Sequence, residues 1–412
     1  MTAVTATGPV PLEERIHSLD ILRGIAVLGI LLMNISSFAM IGSAYFNPTA
    51  WGDLTGINRT VWTLLHLFAD QKFMTIFSIL FGAGIVIFAE RCEAKGRKPA
   101  GLHYRRSFWL LVFGLLHAYL MWFGDILVAY ACCAFVVYLF RRLRPGWLLT
   151  LGLISISVCF ALNIFFGWSK QFWPPEAVEQ MRTGMWNPTE ELVNKEIAAY
   201  QGGFMAQMSM RWISALMIQT QAFLFWGAWR AGGLMLVGMA LYKWGVLSAR
   251  RSRRFYAVMA LLGFHIGIPV TLFGVRQQFA HEWSFDYSFF YGMQFNYWGS
   301  LFISAGYIGL IIWLGKILPR LAAWPVFSAM GRMAFTNYIL QTVICTFIFY
   351  GHGLGLFCRV ERAGQMVVVL SVWALMLFIS PLWLSRFRFG PLEWLWRSLT
   401  YWKRQPFWRA EG

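Results

Sequence analysis

Residues 18–38 read SLDILRGIAVLGILLMNISSF, and the uncharged run that opens inside them continues from Gly24 to Gly52. Asp20 and Arg23 stand at its entrance, and no further charge appears before Asp53. A helix that crosses the ~30 Å hydrocarbon core of a bilayer needs about 20 mostly apolar residues. This run is long enough. It is too long for the apolar part of a cleavable leader and carries no convincing cleavage site. It therefore reads as an uncleaved first span.

The rest of the chain repeats the pattern. Of 412 residues, 58% are hydrophobic and 13% charged, with a mean hydropathy of +0.55. Soluble domains carry roughly 45–50% apolar and about 25% charged residues. A soluble enzyme and a disordered chain are thereby excluded. With 38 Gly and 6 Cys, collagen-like and disulfide-framework chains are excluded as well. An all-α, polytopic transmembrane helix bundle remains, forming a single integral-membrane domain over 1–412. The 22 Trp suit the aromatic belts at the two interfaces.

Eleven uncharged runs are visible. Two of them, Trp212–Trp229 and Ala231–Tyr242, nearly touch. Orientation arbitrates, because Lys and Arg accumulate on the cytoplasmic side. If only about Arg230–Leu247 crosses, the clusters Arg91–Arg106, Arg141–Arg144, Lys243–Arg254 and the tail from Arg386 share one face. The expectation is ten spans, with eleven as the alternative, and both termini cytoplasmic. The net charge of +17 is then an orienting device, and no nucleic-acid partner is expected. The partner is the lipid bilayer.

Two segments fall outside the spans. Residues 168–229 form an outer-face insertion: a loop, then an interfacial helix from Phe204 to Trp229. Within the loop, Asn187 is placed to cap a helix that has Pro188 at its first position and ends at Gly202-Gly203. Residues 390–412 form a cytoplasmic amphipathic tail. In its GPLEWLWRSLTYW, Glu393 and Arg397 are spaced for a helical ion pair.

Polar side chains inside spans are the functional candidates, since lipid makes them costly. Asp20 and Arg23 share a helical face and suit either a structural ion pair or an anion site. Asn34 lies eleven residues deeper, about 16 Å at 1.5 Å per residue. His117 sits in the third span, with Asp125 in the turn that follows. A neutral imidazole there is a packing group, a general base or an acyl acceptor. Asp125 orients it or caps the next helix. Lys72 opens the second span after His66 and Asp70, and FGAG at Phe81–Gly84 permits close helix approach. In GRMAFTNYILQT, Arg332, Asn337 and Gln341 recur at roughly helical spacing, so they line a cavity or bond neighbouring helices. No His, Cys and acidic group has metal-ligand spacing, so no metal is expected. The six cysteines lie mostly within apolar runs and read as packing residues.

Several of these stretches together resemble the YeiB family of bacterial inner-membrane proteins. They are SLDILRGIAVLGILLMN, KFMTIFSILFGAG, GLLHAYLMWFGDILVAY, GRMAFTNYILQT and GPLEWLWRSLTYW. The family is in turn similar to the transmembrane acyltransferases, with which it shares the LD-x-x-RG of the first span. The resemblance implies a multi-pass protein of the bacterial inner membrane and a homodimer. It also implies transfer of an acyl group from cytoplasmic acyl-CoA, as co-substrate, to an acceptor at the outer face. No covalently bound cofactor is implied. Many sugar O-acyltransferases of that group carry Arg-x10-His, whereas here Arg23-x10 ends at Asn34. The heparan enzyme uses a His in the following luminal loop, and Phe46–Asn58 has none.

The base is therefore assigned to His117, with His66 second. Asp125 orients it, and Asn34 or Asn337 donates to the oxyanion. Asp20, Arg23, Lys72, Arg105, Arg332, Asn337 and Gln341 bind the small-molecule substrate. The alternatives are a transporter or channel for a small polar or anionic solute, and a scaffold without catalysis.

Overall fold

The computed structural model describes residues 16–409. The stretch before Ile16 and residues 410–412, with whatever the sequence suggests for the two ends, lie outside the described residues. Among those described, the chain is helical with no strand, only an isolated antiparallel bridge between Phe387 and Trp408.

The first half supplies α1 (His17–Ala39), α2 (Gly56–Phe68), α3 (Lys72–Ala94), α4 (Pro99–Leu120), α5 (Leu127–Val137) and α6 (Pro145–Ser169). The middle of the chain gives α7 (Glu190–Gln201) and α8 (Phe204–Met217). The second half gives α9 (Ala228–Lys243), α10 (Arg253–Ala280), α11 (Met293–Ile317), α12 (Ala323–Arg332), α13 (Ala334–Phe349), α14 (Arg362–Arg386) and α15 (Pro391–Tyr401). Starts are set locally. Pro occupies the first turn of α4, α6 and α15, where its missing N–H costs nothing. Ser252 caps α10 by accepting from Phe255 N at 3.2 Å.

Among the described residues, seven helical stretches are long and apolar enough to cross a membrane, and Leu127–Phe140 and Ala334–Phe349 are shorter apolar helices. Burial separates them by place. The spans built on α1 and on α2–α3 are 61% and 67% buried, those on α6 and α14 only 22% and 28%. So α1 and α3 are central. Leu153, Phe165, Leu261, Leu370 and Phe378 turn apolar faces outward, as a lipid-facing girdle requires.

The central helices meet backbone to backbone. A Cβ on Gly331 would lie 1.8 Å from the Asp20 carbonyl oxygen, and one on Gly24 would lie 2.0 Å from that of Phe327. This fastens α1 to α12. A Cβ on Gly82 would meet Met235 O at 2.0 Å, fastening α3 to α9, whereas Gly84 faces open space. The FGAG stretch thus does two jobs two residues apart.

Several expectations are corrected. Phe204–Trp229 is no separate interfacial helix. Phe204–Lys243 runs as one 40-residue helix, widened to π-type turns over Ile218–Gly227, with no break at Arg230. The cap of α7 is Thr189, accepting from Leu192 N, not Asn187. The Asn187 side chain is taken by Asn47 Nδ2 at 2.8 Å, so the helix starts two residues later. Arg332, Asn337 and Gln341 do not share one helix. The chain breaks at Met333 (φ −111°, ψ 24°) between α12 and α13. Glu393 turns inward and caps α13, accepting from Phe335 N at 2.7 Å and Thr336 N at 3.1 Å. That capping, from 58 residues away, is what lets the helix restart.

The insertion is packed, not solvated. Val193 and Tyr200 of α7 are buried in the core beneath it. Glu196 accepts from Gly42 N at 2.9 Å, and burial pushes its carboxyl up to about 7 from an ordinary 4.5.

Two outcomes follow from this packing. Gly331→Ala should lower stability by at least about 1–3 kcal/mol, since a backbone oxygen cannot give way. Gly84→Ala should be neutral, and thermal unfolding in detergent reads both. For Glu196, the folded chain holds the proton more tightly than the unfolded one. Its contribution is therefore full below pH 4.5 and is lost as pH rises through about 7. Melting temperatures from pH 4.5 to 8 should fall across that window, and fall less in Glu196→Gln.

Candidate functional site

A cavity of about 350 Å³ opens at the basic end of the bundle, between α1, α3, α4, α13 and α15. It is lined by Ile16, just before α1, and by Asp20, Arg23, Val27 and Ile30 on one face of α1. That is a depth of about 20 Å at 1.5 Å per residue. The mouth is cationic. Arg91, Lys95, Arg97 and Arg106 come from α3, α4 and their link, and Arg332, Arg388 and Arg397 from the second half. Two acids face them. Asp20 pairs with Arg23 at 3.0 Å, and Glu393 is committed to the start of α13. Burial raises the Glu393 carboxyl, and its hydrogen bonds offset part of that. The deep walls are apolar and aromatic: Phe77, Leu80, Phe81, Leu110, Ile126 and Leu127, closing on Tyr130 and Tyr338.

Beyond Tyr338 lies a buried polar chain. Its ring is 5.2 Å from that of His117, centroid to centroid. His117 Nδ1 meets Asp125 Oδ1 at 2.7 Å, and Nε2 meets Thr342 Oγ1 at 2.9 Å. Asp125 Oδ2 accepts from Val128 N at 2.8 Å, in the first turn of α5. Asp125 therefore does both things left open by the sequence: it orients the imidazole and caps a helix. His117, Asp125 and Thr342 are 2%, 5% and 1% exposed, which excludes bulk water. On the far side, the Trp122 ring is 6.2 Å from His117 and stacks on Phe38 at 4.2 Å.

The sequence-assigned residues divide. Asp20, Arg23 and Arg332 line the cavity. Arg105 does not. One residue along the helix turns it away by about 100°, and it lies over Trp402 while Arg106 takes the place at the mouth. Asn34 is half-buried on the cavity-lining face of α1, one turn past Ile30, and makes no hydrogen bond to the His117 chain. Asn337 donates to Ser380 Oγ at 3.1 Å and Gln341 to Val27 O at 2.9 Å. Both are helix-to-helix ties, as expected of amides with no water to bond.

Lys72 belongs to a separate cluster. Its Nζ donates to His66 O at 2.6 Å and to Asn296 Oδ1. Asp70 accepts from Asn296 Nδ2 at 2.7 Å and lies 3.3 Å from His66 Nδ1. Arg230, fully buried, completes it, donating to Tyr297 O at 3.1 Å, to Ser300 Oγ at 2.7 Å and to Thr75 Oγ1 at 3.2 Å. Sequence reasoning missed Thr342, Tyr338, Arg230 and Asn296. Only Arg230 had a local signal, as a lone charge between two apolar runs.

The chain as a whole has relatives. A family model described as a protein of unknown function, DUF418, matches residues 241–403, from the end of α9 through α15. A 28% identical relative from Bacillus acidopullulyticus aligns over 97% of both chains. The protein YxaH of Bacillus subtilis (strain 168) is 31% identical over 98% of both chains. YeiB of Escherichia coli (strain K12) is 32% identical over 94% of this chain and 96% of its own. Identities of 32% and 31% over 94% and 98% of this chain make this protein a member of the YeiB family.

Proposed function

We propose that the cavity is the cytoplasmic donor site of a transmembrane acyltransferase and that it binds acyl-CoA. The observation that carries this reading is the polarity of the cavity: a mouth of arginines leading to an apolar, aromatic end. That order matches a ligand with a polyphosphate head and an acyl tail. Arginine guanidinium groups bind phosphates with paired, directional hydrogen bonds. The apolar end excludes water from a thioester.

The topology supports the placement. Adding α4, α5 and α12–α13 to the seven long apolar stretches, one of which already contains α9, gives ten crossings. The mouth lies at the end that carries Arg91–Arg106 and the basic tail, the cytoplasmic end by the orientation rule. The tail helix α15 does more than lie at the interface. Trp396 donates to Arg106 O at 2.9 Å, so α15 walls the mouth.

The geometry revises the chemistry. His117 does not line the cavity, and both its ring nitrogens are occupied. Tyr338 stands between it and a bound thioester. The imidazole therefore acts on a bound acyl group only when that ring turns aside.

Thermal stability of the detergent-purified protein against a series of acyl-CoAs tests the donor site, since a ligand of the native state raises its stability by mass action. A saturable rise is expected. Arg23→Ala and Arg397→Ala should each weaken it about 10–100-fold, the worth of one charge-assisted hydrogen bond at ~1.5–3 kcal/mol. Gly84→Phe, which fills the apolar wall, should abolish the response to long acyl chains first. An unresponsive but cooperatively folding protein, passing anionic solutes in proteoliposomes, would replace this reading with transport.

A further inference from the structure

We propose that Thr342 is the hydroxyl on which His117 acts, and that it carries the acyl group as a covalent ester between the two faces. The proposal rests on the donor-site reading above.

Its basis is the hydrogen-bond order. A carboxylate only accepts, and both Asp125 oxygens are used, one by His117 and one by Val128 N. The proton on Nδ1 therefore faces Asp125. Nε2 is left with its lone pair toward the Thr342 hydroxyl at 2.9 Å. This is the ordering of a carboxylate, imidazole and hydroxyl in which the imidazole takes the hydroxyl proton.

Thr342 also departs from the habit of its class. A buried helical Thr or Ser normally donates back to the carbonyl four residues earlier. Thr75 does so to Gln71 and Ser78 to Met74 in this chain. The Thr342 hydroxyl instead points across to α4.

Position completes the argument. Tyr338 precedes Thr342 by four residues and so shares its helical face. The Tyr338 ring closes the cavity on one side, and the Trp122–Phe38 stack closes the relay on the other. A group attached to Thr342 would sit between two aromatic partitions, reached from one and discharged through the other.

The step balances without another reagent. Thr342 Oγ1 attacks the thioester carbonyl as His117 Nε2 takes its proton. The C–S bond breaks, and the CoA thiolate receives that proton from the imidazolium. An ester on Thr342 and free CoA–SH remain. An acceptor hydroxyl or amine later attacks the ester, with His117 again taking the proton, and restores the Thr342 hydroxyl.

The test incubates the purified full chain with acetyl-CoA or palmitoyl-CoA, without acceptor. It follows thiol release, intact mass and thermal shift together. The expected result is about one CoA released per chain and an acyl mass that maps to the peptide holding Thr342. Thr342→Ser should keep the burst. Thr342→Val and His117→Gln should slow it about 100-fold or more while keeping the acyl-CoA thermal shift. A wild-type burst from Thr342→Val, an adduct mapped elsewhere, or a thermal shift with no CoA released overturns the Thr342 proposal and leaves the donor site standing. Absence of any thermal shift overturns the donor reading and this proposal with it.

Discussion

One carboxylate holds the interior together. Asp125 sits in the short turn between α4 and α5, where a buried charge would be prohibitive if left alone. Its two oxygens go to different helices. One fixes the start of α5 through Val128 N, the other fixes His117 on α4, and His117 reaches α13 through Thr342. Removing it would leave the imidazole Nδ1 and the Val128 N–H unpaired in a buried place. The same residue sets where the cavity stops. Ile126 and Leu127, which line its end, are the next two residues in the chain.

A second carboxylate does comparable work at the mouth. The break at Met333 exposes the first N–H groups of α13. Glu393 satisfies two of them and bonds the Thr336 hydroxyl as well. By doing so it draws α15 across the mouth and brings Arg397 to the rim. The break also separates roles along one stretch of sequence. Arg332, before it, faces the cavity, while Asn337 and Gln341, after it, tie α13 to α14 and α1.

What the sequence disclosed follows from range. Spans are legible because lipid demands long uncharged runs, a constraint that acts residue by residue. His117 and Asp125 are eight apart across a tight turn, so their partnership was readable. Thr342 lies 225 residues from His117, and nothing in YILQT distinguishes it from any other helical Thr. The break at Met333 has no Pro or Gly at the site itself and depends on a carboxylate 58 residues downstream. Asn187 had the right local grammar for a cap, but Asn47, 140 residues away, claimed its side chain. Helical grammar predicts which groups need a partner; tertiary packing decides which partner they get.

The two ends of the bundle are built on different principles, and the difference bears on direction. At the basic end, cations outnumber acids around an open cavity. At the opposite end, charge is spent on closure. Arg362 donates to the carbonyl oxygens of Pro48, Trp51 and Asp53 and so pins the loop after α1. Arg211 reaches Leu120 O at 2.8 Å and Gln207 Oε1 at 2.9 Å, holding α8 to the end of α4. Tyr200 and Tyr350 pack ring against ring at 4.8 Å beneath them. A guanidinium bonded to carbonyls has little left to offer a ligand. Entry from that side would have to displace packed aromatic rings, whereas the cavity at the basic side runs from its mouth to Tyr338.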